Sequence, residues 1–267
     1  MDESKLNILV NDEGCGLKKG DLLYKYTALG EFTDVDSRKM KTKKFAEEYE
    51  NKVEKLLQKR EIWFSKYECL NDPYEVVGAY YDYGSKEGKS YLEISKLFNR
   101  SMVEILSLTN SYNNLLMWSH YAKNHKGYCI EFVVEDASKL FKVQYLDKIP
   151  EGISLALLHT KDIEEKKKIC KYFLNKPKAW EYENEYRVLN IDDWEERNQY
   201  PKEKGESIKL DAIGLRINRI ILGANCNKTL TKRIVEDCNK HNVPCVRAKI
   251  CSDRYDIRIG RKLRRGI

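Results

Sequence analysis

The densest chemistry in the chain sits in five consecutive residues, Glu183-Asn184-Glu185-Tyr186-Arg187. Read as a strand from Glu183 to Leu189, the pleat puts Glu183, Glu185 and Arg187 on one face and Tyr186 and Val188 on the other. Three charges on one face of a core strand are costly unless that face lines a cleft, which makes it the first candidate site. The plainer alternative is a pair of surface glutamates matched to Arg187 or nearby lysines. His120 and Tyr121 come next, on a stretch (Leu115 to Lys123) that reads as helical. Neighbours on a helix project in different directions, so one of the two could face a given cleft. His120 suits a general base or a hydrogen-bond donor to a phosphate, or else a structural histidine bonded to the Asn71-Asp72 turn. In that turn Asn71 and Asp72 precede Pro73, with Glu75 close behind. Asx side chains bond their own backbone in turns; the alternative is that Asp72 or Glu75 reaches the cleft. Ser65 closes a short strand, and Tyr24, Tyr26, Tyr121 and Tyr186 could stack on a heterocycle or an unpaired base, although core packing serves each of them too.

Metal and motif chemistry narrows the field. His120 and His125 are five apart, a poor helical ligand pair, and no H-E-x-x-H or H-x-E occurs. Eight cysteines at 15, 69, 129, 170, 226, 238, 245 and 251 include no C-x-x-C, so reduced thiols and no zinc are expected. The glycine patterns of P-loop NTPases and dinucleotide-binding Rossmann units are absent, as is G-x-S-x-G.

The elements that must carry these residues follow from periodicity. Strands are expected at Leu22–Thr27, Ile62–Ser65, Tyr128–Val134, Glu183–Leu189, Ile208–Leu210, Arg219–Gly223, 243–250 and 255–259. Helices are expected at 36–60, 89–106, 162–174 and 229–241. In Tyr128–Val134 the even positions are all apolar, so one face is expected to be buried. Short strands interspersed with helices, without a strict alternation, indicate an α+β fold: a mixed, mostly antiparallel sheet, which could be split, flanked by helices. No linker stands out, so one domain is expected at 21–253, after a loose lead-in at 1–20 and before a basic tail at 254–267.

Composition sets the outer limits. The chain has 267 residues, 42% of them hydrophobic and 34% charged, enough for a real core. Mean hydropathy is -0.66, and no run of 18 apolar residues exists, so no membrane partner is expected. Met1 to Lys5 lack a basic, then apolar, leader pattern, which points to a cytoplasmic protein. Net charge is +7, and the last fourteen residues hold six cations against Asp256. That tail could meet a phosphate backbone or an acidic partner, or simply be solvated.

Several patches occur in a familiar order: Tyr24-Lys25-Tyr26, Trp63-Phe64-Ser65, Leu70 to Glu75, Leu116 to Ala122, His125-Lys126-Gly127, Ile130-Glu131-Phe132, Lys178-Ala179-Trp180, Tyr182 to Arg187 and Ile220 to Gly223. They resemble a widespread bacterial family of unknown function over about residues 22–250. A second resemblance is to ADP-ribosyltransferases, through Leu23-Tyr24-Lys25, Trp63-Phe64-Ser65 and Glu183-Asn184-Glu185 in that order. It implies NAD as substrate and Glu185 facing the oxocarbenium-like ribose; Glu183 could orient the acceptor, and His120 and Tyr121, read from their own chemistry, are the further catalytic candidates. Tyr24, Lys25, Ser65, Asp72 and Arg187 would line the NAD side. Position 25 departs from that family's His or Arg, which weakens the usual ribose contact.

The function expected is therefore an NAD-consuming, ADP-ribosyltransferase-like enzyme without a metal, of the kind found among bacterial toxins and phage-defence effectors. A nucleic-acid or protein acceptor would be held by the basic tail, and a neutralising antitoxin or regulatory partner is compatible with that role. Two rivals stand beside it. One is a metal-dependent nuclease using Asp72, Glu75, Glu183 and Glu185 as magnesium ligands. The other is a non-catalytic nucleic-acid-binding module working through residues 254–267.

Overall fold

The structure, a computed structural model, describes residues 8–29, 43–66, 69–72, 74, 103–148, 171–191 and 205–263. Its described elements are, in chain order, β1 (Leu22–Thr27), helix α1 (Lys43–Tyr49, continued as a π-helical Glu50–Lys59), β2 (Glu61–Lys66), β3 (Val103–Thr109), α2 (Leu115–His120), β4 (Tyr128–Val134), β5 (Phe141–Lys142), β6 (Gln144–Leu146), β7 (Asn175–Pro177), β8 (Glu185–Ile191), β9 (Gly205–Lys209), β10 (Leu215–Leu222), α3 (Lys228–Lys240), β11 (Cys245–Ile250) and β12 (Ile257–Lys262). Short 3-10 turns lie at Lys171–Leu174, Lys178–Glu183 and Asp211–Ile213. Helices, a mixed and mostly antiparallel sheet and a second, two-stranded sheet make the protein α+β, as expected. The parallel pairs are β10–β11 and β6–β7.

The chain forms two compact units, each from three separate stretches: 1–15, 64–107 and 138–206 in the first, and 16–63, 108–137 and 207–267 in the second. No linker is visible in the sequence because neither unit is a continuous segment.

In the second unit the sheet runs β12-β11-β10-β4-β1, and Tyr24 of β1 also pairs with Thr109 at the end of β3. Helices α1 and α3 meet on one side of it. Phe45, Tyr49, Val53, Leu56 and Leu57 of α1 are buried, at the spacing the sequence indicated. Tyr49 donates its hydroxyl to Asp237 of α3 at 2.7 Å, and the Arg233 guanidinium lies 4.0 Å from the Tyr49 ring centroid. Tyr128 donates to the Lys52 carbonyl at 3.0 Å, tying β4 to α1. Asn227 caps α3 by accepting from the Leu230 amide at 2.8 Å. Strand β4 is central, and its burial exceeds the one-face expectation: Cys129 and Glu131 on the other face are fully buried too.

In the first unit β3 pairs with β2 (Ser65↔Ile105, Lys66↔Glu104) and with β8, and β8 takes β5 on its other side (Phe141↔Arg187). The N-terminal lead-in is not loose here. Ile8 bridges Asn190, the Leu9 amide donates to the Leu189 carbonyl, and the Asn11 side chain donates to the Leu140 carbonyl.

Other expectations change as well. Residues 103–106, placed in a helix at 89–106, begin β3; residues 89–102 lie outside the described part. Short apolar runs fit either period, and β-branched Val103, Ile105 and Thr109 together with pairing to β2 decide for a strand. Of the helix expected at 162–174, the described end is one 3-10 turn. The C-terminal basic segment is folded rather than a free tail: Ile257–Lys262 pairs antiparallel with β11, and the Leu263 amide donates to the Cys245 carbonyl.

Candidate functional site

The Glu183–Arg187 patch builds a closed cluster in the first unit. Glu183 is not on the strand. It ends the 3-10 turn, and Asn184 at φ 43° reverses the chain before β8 starts at Glu185. The expected shared face of three charges is thus corrected to Glu185 and Arg187 alone. Arg187 grips Glu185 with two bonds, Nε to Oε1 at 2.7 Å and Nη2 to Oε2 at 3.0 Å. Its third arm, Nη1, donates to the Phe173 carbonyl at 2.6 Å. Lys176 on β7 joins the glutamates, with Nζ 2.5 Å from Glu183 Oε2 and 3.2 Å from Glu185 Oε2. The Lys176 ammonium also lies 5.0 Å from the Trp180 ring centroid. The Glu185 amide donates to the Tyr145 hydroxyl at 2.7 Å, and Ser107 bonds the carboxylate.

All four charged groups are buried, Glu185 being 4% exposed. The two glutamates are therefore buried and paired rather than exposed surface charges. Burial alone would raise the Glu185 pKa, but Arg187 and then Lys176 outweigh it and pull it down to about 2. Lys176 is the member that sequence reading missed. It sits in Asn175-Lys176-Pro177, where no periodic signal marks it.

A second buried carboxylate lies in the second unit. Glu131 of β4 is 0% exposed and stands directly between Tyr24 of β1 and Arg219 of β10 in the sheet register. The register shifts between Ile217 and Arg219, so Asn218 is the extra residue of a β-bulge. A bulge lets consecutive side chains turn the same way, and both Asn218 and Arg219 donate to Glu131, Arg219 Nη2 at 2.8 Å. Tyr24 bonds Glu131 as well, and burial first, then Glu131, push its hydroxyl pKa up. The Tyr112 ring lies 5.8 Å from that of Tyr24. The Arg219 side chain is 30% exposed, so this cluster reaches water. A lone charge inside Tyr-Cys-Ile-Glu-Phe-Val-Val was the signal available for Glu131.

The remaining candidates divide. Lys25 follows Tyr24 on β1 and so points to the opposite face, and the two do not share a ligand-facing side. His120 ends α2 and is exposed, its ring 6.5 Å from that of Tyr121. Asp72 is buried, and its Oδ1 accepts from the Tyr74 amide at 2.9 Å, an Asx turn. Its Oδ2 has no partner among the described residues. Ser65 is half-buried on the β2–β3 ladder. Neither Ser65 nor Asp72 bonds the Glu185 cluster. Glu75 lies outside the described residues. Tyr24, Lys25, His120 and Tyr121 belong to the second unit; Ser65, Asp72, Glu183, Glu185 and Arg187 belong to the first. Among the described residues no three His, Cys, Asp or Glu side chains converge as metal ligands, and no helix is long and apolar enough to cross a membrane.

The Met117–Gly127 patch has a backbone explanation. Asn114 caps α2 by accepting from the Leu116 and Met117 amides. Trp118 is fully buried, donates to the Tyr112 carbonyl at 2.7 Å, stands edge-on to Tyr26 and stacks with His125. Lys123, Asn124 and His125 are all left-handed, with φ of 47°, 54° and 65°. Gly127 then passes so close to β1 that a Cβ would strike the Thr27 carbonyl oxygen, and Gly223 likewise would strike that of His125.

Comparison with known families gives one result. Residues 117–188 match the model of a family described as "Protein of unknown function (DUF2971)". The matched stretch holds both the Trp118 turn and the Glu183–Arg187 cluster, and it is shorter than the span of about 22–250 over which the patches resemble such a family. The searches of curated proteins and of solved structures gave no match.

Proposed function

We propose that the protein is an NAD-consuming enzyme of the ADP-ribosyltransferase-like kind, with Glu185 as the charge that stabilises the ribosyl cation. The observation that carries this reading is the Glu185 carboxylate fixed at the head of β8 by two bonds from Arg187 and one from Lys176, cations that pull its pKa well below the usual carboxylate range. Such a carboxylate is charged at any working pH and cannot reorient, which is what preorganised electrostatic stabilisation needs. The other two patches of that resemblance are strand-borne. Leu23-Tyr24-Lys25 lies within β1, and Trp63-Phe64-Ser65 lies within β2.

Breaking the nicotinamide bond leaves positive charge on the ribose, and a fixed negative charge lowers that barrier more than it strengthens binding of ground-state NAD. A second reading is favoured by a specific observation. Two glutamates and two cations balance to zero, and Glu185 is 4% exposed. On that reading the cluster is architectural. Nicotinamide release by wild type and Glu185→Gln separates the two. The enzyme reading expects turnover to fall roughly 100-fold or more. An active wild type with an equally active, folded Glu185→Gln ends the assignment.

A further inference from the structure

The basic C-terminal segment forms a ribbon with β11, and its charges are unevenly used. Residues 245–262 contain six cations against two carboxylates, Asp253 and Asp256. Arg247 is spent internally, donating to the Gly223 and Cys226 carbonyls and to Thr231. Arg254 takes both carboxylates, at 3.7 Å from Asp253 and 3.4 Å from Asp256. Lys249, Arg258, Arg261 and Lys262 are left with no carboxylate among the described residues. Lys249 and Arg258 are direct cross-strand partners, an arrangement that repels and destabilises a ladder unless an anion joins it.

Three of these cations line an open groove of about 460 Å³, together with Ser252, Asp253 and Gly260. A Cβ at Gly260 would come within 2.8 Å of the Arg247 carbonyl oxygen, so the two strands approach closely at that point. Ile250, which also lines the groove, is 58% exposed, and Tyr255, in the turn joining the two strands, is 100% exposed. Charge alone would protect an edge strand from aggregation. That purpose gives no reason for a bare tyrosine and isoleucine next to the cations.

We propose that the β11–β12 ribbon binds a single strand of nucleic acid, its phosphates on Lys249, Arg258, Arg261 and Lys262 and a base on the Tyr255 ring. Cations along a groove with an adjacent aromatic platform are how sequence-tolerant single-strand binding is built. A duplex keeps its bases stacked and leaves Tyr255 without a role. This binding does not depend on NAD chemistry.

The test is fluorescence anisotropy of the full chain with a labelled single-stranded oligothymidylate, titrated across salt. Four phosphate contacts give a slope of log affinity against log salt of roughly -3. Lys249→Gln with Arg258→Gln is expected to halve that slope roughly, since each cation removed takes about 0.7 from it. Tyr255→Ala is expected to weaken binding about tenfold with the slope unchanged. The conservative pair Lys249→Arg with Arg258→Lys keeps binding. If the glutamine pair melts early, Arg261→Gln with Lys262→Gln supplies the same readout. A wild-type slope near zero, or a slope that neither glutamine pair changes, overturns the proposal. So does tighter binding of duplex or heparin together with no loss in Tyr255→Ala.

Discussion

The two buried carboxylate clusters differ in how they are closed. In the first unit Glu183, Glu185, Lys176 and Arg187 satisfy one another, and all four are buried. In the second unit Glu131 is equally buried, but its counter-ion Arg219 is 30% exposed and its other partners, Tyr24 and Asn218, are neutral. A closed set of charges pays a large penalty if any member is removed, because the rest have no water to turn to. A set with one arm in water relaxes by hydrating that arm. Equal burial of a carboxylate therefore does not mean equal energetic weight.

The largest effect should come from the closed cluster. Glu185→Gln leaves the Arg187 guanidinium buried beside a neutral amide, and stability to urea is expected to fall by roughly 3–5 kcal/mol. A loss near zero would mean that the cluster admits water and would erase the contrast with Glu131.

Acid titration sharpens the same point. The folded-state pKa of Glu185, about 2, lies below the 4.5 of an unperturbed glutamate. Its contribution is therefore complete above pH about 4.5 and is lost as pH falls from there towards 2. Stability of the wild type should decline across that window by a few kcal/mol from this group, and Glu185→Gln should show a flatter profile. Parallel profiles would refute the clamp.

A smaller loss is expected in the second unit. Glu131→Gln keeps the shape and an acceptor, and Arg219 hydrates, so unfolding should show a cost of about 1–2 kcal/mol. A cost matching that of Glu185→Gln would show that exposure of the arginine is immaterial. The smallest effect should be Tyr24→Phe, about 1 kcal/mol, because one neutral donor to Glu131 is removed while Asn218 and Arg219 remain. A larger loss would assign Tyr24 a weight that its single hydroxyl bond does not explain.

Legibility in the sequence follows sequence distance. Glu185 and Arg187 are two apart, and their pairing was among the alternatives a strand pattern offers. Lys176 is nine residues before Glu185, beyond any local period, and only the β6–β7 pairing and the turn at Asn184 bring it in. Asn218 and Arg219 are 87 and 88 residues from Glu131. Their joint aim depends on a bulge that nothing local to Ile217-Asn218-Arg219 announces.

The amino-acid sequence by itself determined where most regular segments lie: β1 from Leu22 to Thr27, the apolar stripe of α1 and the helix at Lys228–Lys240 all follow from side-chain periodicity. It also determined which chemical groups are available and that the positive charge gathers near the C-terminus. The tertiary structure alone decided what surrounds those groups. Glu183 and Glu185 ended in a neutral buried set, and the basic segment became a strand whose three cations, Arg258, Arg261 and Lys262, lack carboxylate partners among the described residues. The reason is physical. Periodicity is a property of neighbours along the chain, whereas desolvation and charge pairing depend on atoms brought together from distant segments, and those terms are large enough to set what a carboxylate does.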